Sequence, residues 1–146
     1  MRQPRFPSKV LLVVALLASP TLGMAADVAG TWSYEASDSW KKGPCPTGGD
    51  ASGKLEMTPD GNAVTLVFVS GRKCRPESMC TFEGTLSGSE LVVSNEAKVD
   101  DEGGMVKNEI KLTLSGDDSA SGTSESSYTH PGGMECRWGS KVTLTR

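Results

Sequence analysis

The chain offers a single histidine, His130, in the stretch Thr129-His130-Pro131-Gly132-Gly133. A hydrolytic triad would need that imidazole oriented by an acid and set against a nucleophile from elsewhere in the chain. Serine is so abundant that a serine near a loop carries no signal, so His130 reads as a solvated rim residue and the protein as no enzyme. Asp100-Asp101-Glu102-Gly103-Gly104 carries oxygen donors of the kind calcium takes, but it lacks the spaced carboxylates of an EF-hand loop and reads as a charged hairpin tip. The four cysteines show no close pair with zinc-motif spacing, so neither a metal nor another cofactor is expected. Arg72, Lys73 and Arg75 form a small basic spot near Trp40-Lys41-Lys42, which would suit an anionic or acidic partner if it has a role. What remains is binding chemistry. Tyr34, Phe82, Tyr128 and Trp138 supply rings that can bury a ligand, and Asn95, Asn108 and Ser124 supply groups that can orient it.

The compartment follows from the N-terminus. Arg2, Arg5 and Lys9 precede the apolar run Val10 to Leu17, and Gly23-Met24-Ala25 provides small residues for cleavage. This is the pattern of a secretory signal peptide over residues 1–25, too short for a membrane span. A single domain over residues 26–146 is expected, secreted or periplasmic after cleavage. Losing three basic residues and no acidic one takes the formal net charge from −3 to −6. An acidic chain with no basic stripe argues against nucleic acid and against anionic membrane surfaces, and no membrane insertion is expected.

Eight segments alternate apolar with polar residues, and no run of ten or more shows a helical apolar period. They are roughly Thr31 to Ala36, Gly53 to Thr58, Ala63 to Ser70, Met79 to Leu86, Glu90 to Ala97, Met105 to Leu114, Ser119 to Tyr128, and Met134 to Thr145. Thr-Leu-Ser-Gly occurs at Thr85 to Gly88 and again at Thr113 to Gly116, each time at the turn of one hairpin. Tight connections at Pro59-Asp60-Gly61-Asn62, Ser87-Gly88-Ser89 and Ser115-Gly116-Asp117-Asp118 alternate with longer ones at Ser37 to Ser52, Gly71 to Ser78, Lys98 to Gly104 and Thr129 to Gly133. In an antiparallel up-and-down meander that alternation gathers the long loops at one end. The expected fold is an all-β, eight-stranded barrel with a closed base and an open mouth.

The inward parity of each strand divides along the barrel. Toward the tight turns it gives Trp32, Met57, Val64, Leu66, Leu86, Leu91, Val93, Leu112, Leu114, Val142 and Leu144, a dry core. Toward the loops it gives Tyr34, Phe68, Phe82, Asn95, Asn108, Ser124, Ser126, Tyr128, Trp138 and Ser140. In the third strand Val67 and Val69 compete with Leu66 and Phe68 for the inward face. All four cysteines fall at the open end. An even count in an exported chain reads as two disulfides, for which three connectivities exist. The barrel favours Cys74 with Cys80 across one hairpin mouth, and Cys45 with Cys136, because closure makes the first and last strands neighbours.

Gly30-Thr31-Trp32 opens the first strand, and Arg146 falls at the same end on the last. In this the chain resembles the calycin superfamily of lipocalins and avidins, whose first-strand Gly-x-Trp packs against a basic side chain from a late strand. The resemblance implies structural roles for Trp32 and Arg146, with the guanidinium stacked on the indole. Avidins carry a short biotin-binding motif after the first strand, whereas Ser33-Tyr34-Glu35-Ala36 leads here into a long loop, so no biotin contact carries over. Two functions fit. One is a barrel holding a small, partly apolar ligand in its mouth. The other is an interaction module whose long loops engage an exported protein partner, such as a cell-wall lytic enzyme that it inhibits.

Overall fold

In the computed structural model residues 26–146 are described, and the signal peptide expected over residues 1–25 lies outside them. Eight strands follow one another: β1 (Gly30–Lys42), β2 (Ala51–Asp60), β3 (Ala63–Phe68), β4 (Thr81–Ser87), β5 (Glu90–Lys98), β6 (Met105–Leu114), β7 (Ser119–Thr129) and β8 (Glu135–Thr145). Each pairs antiparallel with the next, and β8 returns to β1 to close the barrel. Closure leaves no strand edge unpaired, which a flat eight-stranded sheet could not achieve. Among the described residues, no helix is long and apolar enough to cross a membrane.

Every residue of the expected dry core is buried, joined by Leu55, Ile110, Val28 and Ala120. In β3 the inward face belongs to Val64, Leu66 and Phe68, because β2 pairs Leu55 with Phe68 and Met57 with Leu66 across the same row. The base is sealed from below by the segment that leads into β1. Val28 is buried there, its carbonyl accepts a hydrogen bond from the Trp32 indole N–H at 3.0 Å, and the Arg146 guanidinium lies 4.2 Å from the centre of the Trp32 ring. Arg146 also donates to the Asp27 carbonyl, so one side chain ties the last strand to the segment under the first.

The boundaries depart from the sequence reading at the mouth. β1 runs six residues past Ala36, to Lys42, and the loop expected from Ser37 to Ser52 shrinks to 43–50. Ser37 to Lys42 carry no apolar alternation because they sit at the rim, paired to β8 alone, with both faces wet. A bulge at Ser39 shifts the register between Asp38 and Trp40. It swings Trp40 to the outer wall, against Gly139, where a β-carbon would meet the indole nitrogen at 2.1 Å. β3 ends at Phe68 instead of Ser70, and Met79 belongs to a single 3-10 turn, Glu77–Cys80, ahead of β4. Two disulfides staple this end, Cys45 to Cys136 and Cys74 to Cys80.

Candidate functional site

The inward faces of four strands, β5 to β8, meet above the core. Row by row, the pairing aligns Val93, Ile110, Ser124 and Ser140, then one step nearer the mouth Asn95, Asn108, Ser126 and Trp138. Large side chains give way to serines on β7 and β8, and the space they leave is not refilled from the facing strands. The result is a cavity of about 500 Å³ inside the mouth, floored by Ile110 and Val142 and walled by Tyr34, Phe68, Ser124, Ser126, Trp138 and Ser140. That volume lies within the range of small-molecule sites.

Opposite the serines stands an aromatic column. Tyr34 meets Phe68 edge to face at 4.8 Å, and Phe68 meets Phe82 at 5.7 Å. Phe82 is wholly buried and supports the column without facing the cavity. Over it lies one residue of the basic spot expected at the loop end. Arg72 projects from the β3–β4 loop into the mouth, its guanidinium 5.1 Å from the Phe68 ring centre and 5.4 Å from that of Phe82, and it lines the cavity. Gly71 makes this possible. Its φ of +79° turns the chain inward, and a β-carbon there would lie 1.8 Å from the Ser52 carbonyl oxygen, so any other residue would push the loop off β2. The Lys54 carbonyl, which accepts from the Val69 and Ser70 N–H groups, and the Cys74–Cys80 bridge fix the loop on either side of Arg72.

The cavity lining carries Arg72 and Lys73 against Asp38 and Asp50, but Arg72 is paired with neither carboxylate and, among the described residues, makes no salt bridge. Burial lowers its pKa below the ordinary guanidinium value, opposed by the Tyr34 phenol. Burial likewise holds the Tyr34 phenol above its ordinary 10.0, opposed by Arg72. The Tyr34 hydroxyl is buried and has no hydrogen-bond partner within the protein. The lip carries two carboxylates already engaged in loop bonds: Asp50 accepts from the Asp38 N–H, and Asp38 accepts from the Thr47 hydroxyl.

Not all of the expected site residues share this cavity. Tyr34, Ser124 and Trp138 line it. Asn95 and Asn108 are instead links in a relay behind the wall. The Ser126 hydroxyl donates to the Asn108 side-chain carbonyl at 2.6 Å, and the Asn108 amide donates to that of Asn95 at 2.8 Å. The Asn95 amide then donates to the main-chain carbonyls of Met79 and Thr81. Each donor faces an acceptor, so the relay fixes the 3-10 turn to three strands and leaves both amides occupied.

Tyr128 lies apart as well, on the opposite rim. Its hydroxyl donates to Asp100 at 2.8 Å, and the same carboxylate accepts from the Gly104 N–H at 2.6 Å. The Gly104 N–H first, and the Tyr128 hydroxyl second, hold the Asp100 carboxyl below its ordinary 3.8, while donation to Asp100 raises the Tyr128 phenol. His130 meets Glu102 at 2.7 Å on the same rim. The acidic tip is therefore a latch across two hairpin loops. Among the described residues, no group of three or more His, Cys, Asp or Glu is gathered as metal ligands.

Nothing about this arrangement comes from known relatives. No protein-family model matches the chain, and no curated protein is similar to it.

Proposed function

We propose that the protein is a secreted or periplasmic binding barrel, not an enzyme, that holds a small, partly apolar molecule in its mouth. The observation that carries this reading is the 500 Å³ cavity, which aromatic rings and serine hydroxyls line together. Small eight-stranded barrels are commonly filled by their own side chains, so space inside one is informative. Two disulfides at the rim are compatible with an oxidising compartment, and export through a signal peptide over residues 1–25 is part of the proposal. The outer wall carries the pairs Lys107–Glu96 and Lys111–Glu109 where a lipid-facing barrel presents an apolar band, which supports a water-borne carrier. Kinship with the calycins is proposed on the Gly30, Trp32 and Arg146 pattern and the meander barrel.

The test is fluorescence enhancement of the neutral probe N-phenyl-1-naphthylamine. The wild type should bind it saturably at one site. Ser124→Phe, which fills the cavity from β7, should weaken binding at least about tenfold, the equivalent of about 1.4 kcal/mol, while the variant melts normally. Trp138→Ala should weaken binding more than it lowers stability, because Trp138 sits at the lip and is only half-buried. Equal binding by Ser124→Phe would place the probe elsewhere and refute the site.

A second reading has one observation in its favour. Trp40, Val69 and Met134 are 42%, 52% and 42% exposed, all toward the loop end. Apolar side chains around a rim suit a protein partner, for instance a cell-wall lytic enzyme that the barrel inhibits. That reading predicts a stable complex that Trp40→Ser abolishes and Ser124→Phe leaves intact.

A further inference from the structure

The geometry points to a carboxylate as the polar end of the ligand, received by Arg72 and Tyr34 at the inner side of the mouth. This rests on the reading of the cavity as a binding site and adds the chemical class of its occupant. Two polar groups on one side of that cavity are left without a matching partner in the protein, one of them buried, the Tyr34 hydroxyl, and the other half-buried, the Arg72 guanidinium. A guanidinium lies over two phenylalanine rings, with no carboxylate of the described residues in salt-bridge reach, and a buried phenol hydroxyl has no protein acceptor. The buried hydroxyl without an acceptor costs free energy, and the half-buried guanidinium beside it carries a charge that no carboxylate pairs.

One carboxylate answers both needs. Its two oxygens can accept from the forked guanidinium N–H groups and from the Tyr34 hydroxyl, and charge-assisted bonds of this kind are the strong ones. The carboxylates at the lip do not substitute, since Asp38 and Asp50 are exposed and engaged by Thr47 and by each other's loop. Lys73 also lines the cavity, as do Asp38 and Asp50, so selection for an anion rests on Arg72 at the inner side and not on the net charge of the approach. The remaining walls fit the rest of such a molecule. Phe68, Ile110 and Trp138 suit an apolar or aromatic body, and Ser124 and Ser140 suit one or two further polar groups. Arg72 has a competing role as a mere plug, resting on Phe68 and Phe82 to keep water from the core. A plug has no preference between a carboxylate and an alcohol.

That difference is the test. 1-Naphthaleneacetate and 1-naphthaleneethanol share a ring system and differ chiefly in carboxylate against hydroxyl. Each is titrated calorimetrically into the oxidised protein, and each competes with N-phenyl-1-naphthylamine. The acetate should bind at least about tenfold more tightly than the alcohol, as one charge-assisted bond implies. Arg72→Met should bring that ratio to about one with the alcohol affinity little changed, and Tyr34→Phe should narrow it in part. Arg72→Lys should keep a preference, which shows that a lost ratio in Arg72→Met reports charge and not a displaced loop. A wild-type ratio near one, with both compounds bound, would overturn the carboxylate assignment and leave the cavity reading standing. An unchanged ratio in Arg72→Met, with both compounds bound more tightly, would identify a plug. If neither compound nor the neutral probe binds, the cavity reading itself falls, and this assignment with it.

Discussion

Replacing Trp32 by alanine tests the closed base quantitatively. The indole is fully buried under Val28, its N–H is satisfied by the Val28 carbonyl, and its outer face carries Arg146 at 4.2 Å. A buried aromatic removes about 150–250 Å² from water, of which alanine would retain a minor part, so at about 25 cal/mol per Å² the transfer loss is about 3 to 4 kcal/mol. The orphaned Val28 carbonyl adds about 1 kcal/mol. The guanidinium contact adds less, because Arg146 is exposed and such contacts at the surface contribute about 0.5–1 kcal/mol. The expected loss is therefore about 4.5 to 6 kcal/mol, at or just above the upper end of what such truncations cost. Urea unfolding followed by far-ultraviolet circular dichroism reads it directly. At a slope of about 2 kcal/mol per M the midpoint should fall by about 2 to 3 M. Trp32→Phe keeps a ring but no donor, and should lose about 1–2 kcal/mol. A midpoint shift under about 0.5 M for Trp32→Ala would mean that the base is not held by this indole, and the packing argument for the whole closed end would fail.

The two disulfides should differ in worth. The bridge from Cys45 to Cys136 spans 91 positions and the one from Cys74 to Cys80 spans 6, so the chain-entropy model gives losses of about 4.5 and about 2.5 kcal/mol for the paired serine variants. Equal midpoints in urea would contradict that ordering. The shorter bridge should matter more for binding, since it anchors the loop that carries Arg72. Asn108→Ala removes the middle of the polar relay and leaves Ser126 and Asn95 without their partner, which should cost about 1–3 kcal/mol by thermal melting. The Asp100 latch should respond to acid. Its folded pKa lies below the unfolded one, so its stabilising effect is complete above about pH 4 and is lost as pH falls through the folded value. The Gly104 amide resonance should titrate with a midpoint below 3.8, and in Asp100→Asn that titration should vanish.

Much of the barrel was legible because its inner wall is written in alternation. From Leu86 to Leu114 the parity of every strand could be assigned by its apolar residues, and the disulfides followed from which strands must become neighbours. Alternation fails where both faces of a strand are wet, which is why Ser37 to Lys42 read as loop although their backbone, the bulged Ser39 apart, is paired to β8. The Asn95 and Asn108 pairing lay within reach. Once Leu91 is set against Leu112 the two amides face each other, and adjacent buried amides tend to satisfy one another before a ligand does. The basic spot was legible as a place for an anionic partner, but the inward turn of Arg72 was not. In sequence Arg72 is one of three basic residues in a loop, and only the φ of Gly71 and the contact between Gly71 and Ser52 turn it into the mouth. A glycine immediately before a charged residue and a cysteine two positions after it were the only signals, and neither fixes a direction.

The central claim, a barrel built to hold a small molecule, is tested most directly by native mass spectrometry of the protein recovered from its own host without reductant. A mature mass about 4 Da below the reduced value would report both disulfides. The account predicts in addition a bound small molecule that leaves on denaturation, and that is absent from Ser124→Phe recovered in the same way. A bare wild-type barrel, or one that carries a protein on its loops and nothing inside, would contradict it.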